Sequence, residues 1–308
     1  MSFTSVVKNE LSKLETEKIE SISELSAILK NSSTMDKSIK VLTENASVAR
    51  HIYKLFKDIY NISCKITVRQ GYNYNKNYIY ILEINNLVDL VIKDLDLKSI
   101  IPNDYIIADD NLKRAYIRGL FIASGSINDP KKSRYHLEIV VDNEQYGEFI
   151  NNLFNDYYLN SKIIKRDNRY MVYIKEAEKI GDFLRMINAI NALLYYEDIR
   201  IYRDHKNMTN RINNCEQANV DKIIMTANSL VKDINYIKDK AGLDLLDEKT
   251  YIAAIYRLKY SEASLSELSE IITMETGHSI TKSGLHHRFN KIKILANKIR
   301  EKNSVNEL

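Results

Sequence analysis

Apolar residues along this chain fall at helical spacing, then alternate, then return to helical spacing, and the whole succession occurs twice. Ile22, Leu25, Ile28 and Leu29 predict a helix from about Ile19 to Asn31. Ser38 to Leu42 alternates as a strand does. Asn45 is placed to cap a helix carrying Ile52, Leu55, Phe56 and Ile59. Two strands follow, Ile62 to Val68 and Tyr78 to Ile84, with a Gly- and Asn-containing loop between them. A short helix near Leu87 to Asp94 closes the series. The order then restarts. A helix is expected from Leu112 to Ser124, a strand from His136 to Val141, and a helix from an Asn143 cap through Tyr158. Strands at Ser161 to Lys165 and Tyr170 to Lys175 and a helix from Glu176 complete it.

The repetition is also literal. Leu55-Phe56-Lys57-Asp58-Ile59-Tyr60-Asn61-Ile62-Ser63 returns 98 residues later as Leu153-Phe154-Asn155-Asp156-Tyr157-Tyr158-Leu159-Asn160-Ser161. Thr43-Glu44-Asn45 matches Val141-Asp142-Asn143 at the same offset. A shared offset across separate matches marks a duplication, and a period this long suits a doubled half-domain with pseudo-two-fold symmetry. The predicted class is α+β: a duplicated αβαββα domain over residues 1–200, with repeats at about 19–95 and 111–190. Pro102 marks the boundary between the halves. Beyond Ala192 the strand signals stop. Residues 201–240 read as a polar, Asn-rich helical bridge ending on Ile223, Ile224, Ala227, Leu230 and Val231. Residues 241–308 read as an all-α domain.

That last domain carries the sharpest local pattern. Ser264 and Glu267 form a capping box ahead of the stripe Leu265, Leu268, Ile271 and Ile272, and Gly277 breaks the helix. A second helix follows, with Leu285, Phe289, Ile292 and Ala296 on one side. A short helix, a turn and a second amphipathic helix describe a helix-turn-helix. Between Glu275 and Glu301 no acid occurs, while Lys282, Arg288, Lys291, Lys293, Lys298 and Arg300 all do. With Leu285 inward, Ser283, His287, Asn290 and Lys291 face away, flanked by Lys282, His286 and Lys293. These types suit phosphates and base edges in a major groove. A polar helix on an ordinary bundle is the plainer alternative. His286 and His287 read as hydrogen-bonding groups, because no complementary set of metal ligands accompanies them.

Composition adds limits. At 308 residues, two domains are expected, and 44% hydrophobic with 28% charged residues is ordinary for a globular protein. A formal net charge of +4 is mild, so the clustering of charge carries more than its sum. Cys64 and Cys215 exclude a disulfide framework and read as buried free thiols. The first ten residues lack the apolar core of a secretion signal, and no apolar run is long enough for a bilayer. A reducing cytoplasm, without membrane contact, is the expected setting.

Arg118-Gly119-Leu120-Phe121-Ile122-Ala123-Ser124-Gly125-Ser126 resembles the helix motif of the LAGLIDADG homing endonucleases. The resemblance implies two such helices packed at a pseudo-two-fold axis, with Gly119 and Ser26 as small packing positions and an acid near each C-terminus to bind a divalent metal. The acid positions fall on Asn31 and Ser124, neither of them anionic. Cleavage by metal-activated water needs carboxylates to concentrate hard cations, so no metal, no cofactor and no nuclease activity are expected. The saddle could still hold nucleic acid. Lys65, Arg69 and Lys76 in one repeat, and Lys162, Lys165, Arg166 and Arg169 in the other, sit on or beside matching strands, interleaved with Tyr72, Tyr74, Tyr78 and Tyr80. A solvated sheet face explains each residue singly just as well.

Asn207-Met208-Thr209-Asn210-Arg211-Ile212-Asn213-Asn214-Cys215-Glu216-Gln217-Ala218-Asn219, followed by Lys282-Ser283-Gly284-Leu285-His286-His287-Arg288, is similar to the WhiA family over nearly the whole chain. Where that family's pattern has Arg before the first Asn, this chain has Lys206, which keeps the charge but loses the planar fork. The resemblance implies a nucleoid-associated regulator that binds double-stranded DNA and acts in transcription, cell division, chromosome segregation and sporulation, with other transcription or division proteins as further partners. Lys206 and Arg211 are then candidate secondary DNA contacts. A protein-interaction scaffold of the division machinery and a metal-dependent endonuclease are the competing readings.

Overall fold

The computed structural model describes residues 2–70, 78–132 and 134–306, the side chains of 303–306 excepted. Lys76, Tyr72 and Tyr74 therefore lie outside the described residues. The chain divides into two compact units, Met1–Asp204 and His205–Leu308.

The first unit opens with α1 (Phe3–Leu11), which the hydrophobic reading did not single out. Phe3, Val7 and Leu11 recur four apart and are all buried, so one face of this short helix joins the core. Then come α2 (Lys18–Ser32), β1 (Ser33–Met35), β2 (Ile39–Thr43), α3 (Ala46–Tyr60), β3 (Lys65–Gln70), β4 (Tyr78–Ile84) and α4 (Val88–Asp94). The second half repeats the order as α5 (Asp110–Ser124), β5 (Gly125–Ile127), β6 (Leu137–Val141), α6 (Glu144–Asp156), β7 (Lys162–Arg166), β8 (Arg169–Ile174) and α7 (Ala177–Met186). Each half builds one antiparallel four-stranded sheet, ordered β1-β2-β4-β3 and β5-β6-β8-β7.

Two departures from the sequence reading have simple causes. Each repeat holds one more strand than expected, because three residues are too few to show alternation. β3 starts at Lys65 instead of Ile62, because Asn61 adopts a left-handed φ of 57° and the Ile62 amide turns back to the Phe56 carbonyl. That closes α3 in a C-terminal cap whose apolar partner is the buried Ile62. The second repeat closes α6 alike, with Tyr158 left-handed and Leu159 donating to the Phe154 carbonyl. The expected caps are present: Asn45 Oδ1 accepts from Ser47 and Val48, and Asn143 Oδ1 accepts from Tyr146.

α2 and α5 meet at the centre. A Cβ on Gly119 would strike the Glu24 carbonyl oxygen and lie 2.9 Å from the Ala27 Cβ, so only glycine permits this approach. The facing small residue is therefore Ala27. Ser26, the expected partner of Gly119, is buried but donates to the Leu95 carbonyl at 2.7 Å. Glu24 is buried beside this contact. It takes hydrogen bonds from Arg118 Nε at 2.7 Å and lies 2.6 Å from His51 Nε2. The network thus joins α2, α3 and α5.

α1 belongs to neither repeat. Thr4 Oγ1 donates to the Ile127 carbonyl and accepts from the Ile127 amide, both at 2.9 Å. Glu10 accepts from the Asn191 and Ala192 amides at 2.7 and 2.9 Å, at the start of α8 (Ile190–Ala241). A carboxylate there suits the positive end of the helix dipole.

The second unit holds the end of α8, then α9 (Glu248–Lys259), α10 (Leu265–Thr276) and α11 (Lys282–Asn306). The segment read as a bridge is thus continuous helix. Residues 204–226 are all exposed, and burial resumes at Ala227 and Leu230. Cys215 lies in that exposed stretch, contrary to the expectation of a buried thiol. Ile212 and Met208, one and two turns before it on the same side of the helix, are exposed as well, so no part of the unit packs over this stretch. Cys64 is buried as expected, and burial pushes its thiol up to about 11. Among the described residues no helix is long and apolar enough to cross a membrane.

Burial alone would raise the Glu24 carboxyl, but the His51 and Arg118 contacts outweigh it and hold the group below its ordinary value. The folded chain therefore binds this proton less readily than the unfolded chain. The stabilisation is complete at neutral pH and is lost as pH falls below the ordinary glutamate range. Glu24→Gln leaves Arg118 without its counter-charge in the core. It is expected to lower unfolding stability by about 3–5 kcal/mol at pH 7 and to flatten the acid limb of stability against pH. Urea titrations from pH 3 to 7 check both.

Candidate nucleic-acid interface

The local physics of the second unit builds one basic helix face. Ser264 Oγ accepts from the Glu267 amide at 3.2 Å, and Glu267 accepts from the Ser264 amide at 2.7 Å, so the capping box starts α10 as the sequence implies. Gly277 ends it at a φ of 71°, a conformation that favours glycine. The turn to α11 is held by α10 itself. Ser269 Oγ donates to the Ile280 carbonyl at 2.6 Å, and Thr273 Oγ1 accepts from the Ile280 amide at 3.3 Å. Thr281 Oγ1 accepts from the Gly284 amide at 3.1 Å and begins the next helix.

α11 then presents two sides. Leu285, Phe289, Ile292 and Ala296 are buried against Leu268, Ile272 and the α8 residues Leu230, Ile234 and Ile237. Lys282, Ser283, His286, His287, Asn290, Lys291 and Lys293 are exposed, and Arg288 is half-buried. Three of these are engaged within the unit. Asn290 Nδ2 sits 3.2 Å from His286 Nε2. Lys291 Nζ lies 3.3 Å from Asp247, the residue that caps α9. Hydrogen bonds from the Thr250 amide and hydroxyl, together with Lys291, hold the Asp247 carboxyl below its usual range. Lys291 is thus surface-exposed but already carries a counter-charge. No local pattern signals this pairing, because the two residues lie 44 positions apart.

Arg257 was also missed. It is 2% exposed, and its guanidinium donates to the carbonyls of Tyr260, Ser261 and Ala263 at 3.2, 3.3 and 2.6 Å. It also lies 5.4 Å from the centre of the Phe289 ring. Burial lowers its pKa from the ordinary arginine value. One buried cation therefore sets the α9–α10 turn and braces α11 from behind. Arg300 ties the far end of α11 to Asp233 of α8 at 2.6 Å.

In the first unit, β3 and β7 occupy equivalent edges of the two sheets. Lys65, Arg69, Lys162, Lys165, Arg166 and Arg169 are all exposed. Strand alternation separates them. Lys65 and Arg69 oppose Glu83 and Ile79, and Lys162 and Arg166 oppose Tyr173 and Arg169, all on the outer faces. Lys165 opposes Tyr170 on the other side and lies 5.6 Å from that ring, so it does not belong with the rest. Arg166 and Arg169 face each other directly, two like charges in one ladder pair. Arg169 also reaches Asp142 at 3.1 Å. Lys206 and Arg211 lie on the fully exposed part of α8.

The ends of the central helices do not fit a divalent metal. α2 and α5 end at Ser32 and Ser124 and pass directly into β1 and β5, so the structure pairs Ser124 with Ser32, one residue beyond Asn31. All three side chains are neutral and bonded. Ser32 Oγ donates to the Ile28 carbonyl at 2.6 Å, and Ser124 Oγ to that of Leu120 at 3.4 Å. Asn31 donates to the Ala27 carbonyl at 2.7 Å and to the Tyr146 hydroxyl at 2.9 Å. Hard cations favour carboxylate oxygens, and this set offers none.

The model of the WhiA N-terminal LAGLIDADG-like domain matches residues 18–98, that of the WhiA LAGLIDADG-like domain matches 113–206, and that of the WhiA C-terminal HTH domain matches 209–296. A probable cell division protein WhiA of Staphylococcus epidermidis is 41% identical over 310 residues, covering 97% of this chain and 98% of its own. One from Oceanobacillus iheyensis is 40% identical over 319 residues, with 99% and 100% covered. The crystal structure of full-length DUF199/WhiA from Thermatoga maritima superposes with a TM-score of 0.60 at 25% identity, over 97% of this chain and 99% of that one.

Arg257→Met keeps most of the apolar stem but leaves three carbonyls of the α9–α10 turn without their donor. The second unit is expected to lose about 1–3 kcal/mol of stability, read as earlier loss of hydrogen-exchange protection in α9 and α10 with α2 and α5 unchanged.

Proposed function

The chain belongs to the WhiA family, and from that premise we propose that it is a DNA-binding regulator without nuclease activity, acting in transcription, cell division, chromosome segregation and sporulation. The observation that carries this reading is the charge of α11. Its buried stripe fixes which side faces out, and from Thr276 to Arg300 that side meets no acid of its own segment. Lys282, Arg288 and Lys293 serve as phosphate contacts in this proposal, and Ser283, His286, His287 and Asn290 as groups for base edges. Lys291 joins them once Asp247 releases it.

The outer sheet faces of the first unit supply further phosphate contacts through Lys65, Arg69, Lys162, Arg166 and Arg169. The facing pair Arg166 and Arg169 supports this, since Asp142 reaches Arg169 and leaves Arg166 opposite a like charge. Lys206 and Arg211 on the exposed helix add to the same set. Association with the nucleoid follows from duplex binding. The neutral, self-bonded helix ends at Ser32 and Ser124 support binding without cleavage.

Duplex affinity measured across salt is expected to fall steeply. Lys282→Gln with Lys293→Gln should reduce the log–log salt slope by about 2, one phosphate contact for each lysine. A slope identical to that of the unaltered chain would remove α11 from the interface. Supercoiled plasmid incubated with Mg²⁺ is expected to stay supercoiled. Asp247→Asn keeps the α9 cap but frees Lys291, and is expected to tighten duplex binding at low salt and steepen the slope by about 1. The same shift assay reads this gain.

A further inference from the structure

The two halves of the first unit differ most at one place. β1 and β2 are joined by residues 36–38, whereas β5 and β6 are joined by residues 128–136, six more. The longer connection is a built element. The Asn128 amide donates to the His136 carbonyl at 2.9 Å, and Asn128 Nδ2 to that of Arg134 at 3.3 Å. Arg203 fastens the segment from outside it, donating to the carbonyls of Pro130 and Lys132 at 2.8 and 2.6 Å. Its guanidinium also lies 4.5 Å from the centre of the Tyr135 ring.

This connection walls a cleft of about 610 Å³ lined by Asn128, Arg134, Tyr135, His136 and Lys175. The size falls in the usual range for small-molecule sites. Sheet register brings the basic groups together. Leu137 pairs with Ile174, so His136 and Lys175 lie one step further along the same two strands. Glu138 sits 2.9 Å from His136 Nε2. Among the described residues no acid lies within ion-pair distance of Arg134 or Lys175. Neither charge has a carboxylate partner, although Lys175 Nζ lies 4.7 Å from the centre of the Tyr173 ring, so the cleft offers positive charge that a small anion can take up.

We propose that this cleft binds a small, multiply charged phosphate-type anion, with Arg134 and Lys175 as its charge partners, Asn128 and His136 as hydrogen-bonding groups, and Arg203 as the residue that positions the wall. The forked guanidinium of Arg134 suits bidentate contact with phosphate oxygens. The source of the phosphate is a free anion or a small phosphorylated metabolite. The DNA backbone would be a different occupant.

Titration calorimetry of the full chain with inorganic pyrophosphate at low ionic strength tests this. Saturable binding at one site is expected, weakened about tenfold or more in Arg134→Gln with Lys175→Gln. The Lys282→Gln with Lys293→Gln variant should bind pyrophosphate like the unaltered chain, and the cleft variant should bind duplex DNA within about twofold of it. A titration with adenosine triphosphate beside pyrophosphate separates the sources, tighter binding marking a metabolite and equal binding a free anion. Should the double variant fold poorly by circular dichroism, Lys175→Gln alone with sulfate competition on the unaltered chain replaces it. Absence of saturable binding overturns the proposal, as does equal binding by the cleft variant. So does displacement of pyrophosphate by duplex with matching loss of DNA affinity in that variant, which would make these cations backbone contacts.

Discussion

The first unit depends on how closely two helices approach at Gly119. With no side chain there, α5 rests on the Glu24 carbonyl and the Ala27 methyl of α2, and both sheets hang from that pair. The approach also decides what else is buried. Glu24 and Arg118 are carried into the core with the helices, and neither is tolerable there alone. Together with His51 they satisfy most of one another's bonding, although Arg118 Nη2 has no hydrogen-bond partner and meets Glu20 only at 3.8 Å. The seam between the halves is therefore polar at its centre and apolar around it.

The second unit solves a different problem with a similar device. α9 and α10 are short, and their turns must be fixed for α11 to present one side consistently. Arg257 does this from the interior by gathering three carbonyls, while Ser264, Thr273 and Thr281 do it from the ends of the helices. A buried cation held by carbonyls alone adds positive charge beneath a surface that is already positive. Asp247 offsets part of it at Lys291.

Most of the elements were legible because their causes are local. Asn45, Asn143, Ser264 and Gly277 act within a few residues of themselves, and the buried stripes of α3 and α11 recur at fixed spacing. The matched offset exposes the duplication, and a second offset exposes where the halves differ. The central helices are 92 residues apart, whereas α3 and α6 are 98 apart, which locates the longer β5–β6 connection. The offset of 92 makes Ser32, one residue beyond Asn31, the counterpart of Ser124. What stayed hidden was long-range: the partners of Glu24, the counter-charge on Lys291 and the carbonyls gathered by Arg257. Strand parity settled Lys165, which a list of basic residues near a strand could not.

The helix that belongs to neither repeat has a consequence for how the chain is made. Thr4 is bonded to Ile127, and Glu10 closes on the amides of Asn191 and Ala192. On the ribosome α1 must wait until residues 127 and 191–192 have emerged before its anchors exist. The earlier repeat has to hold together meanwhile without α1 in place, and docking of α1 registers that the later repeat has arrived.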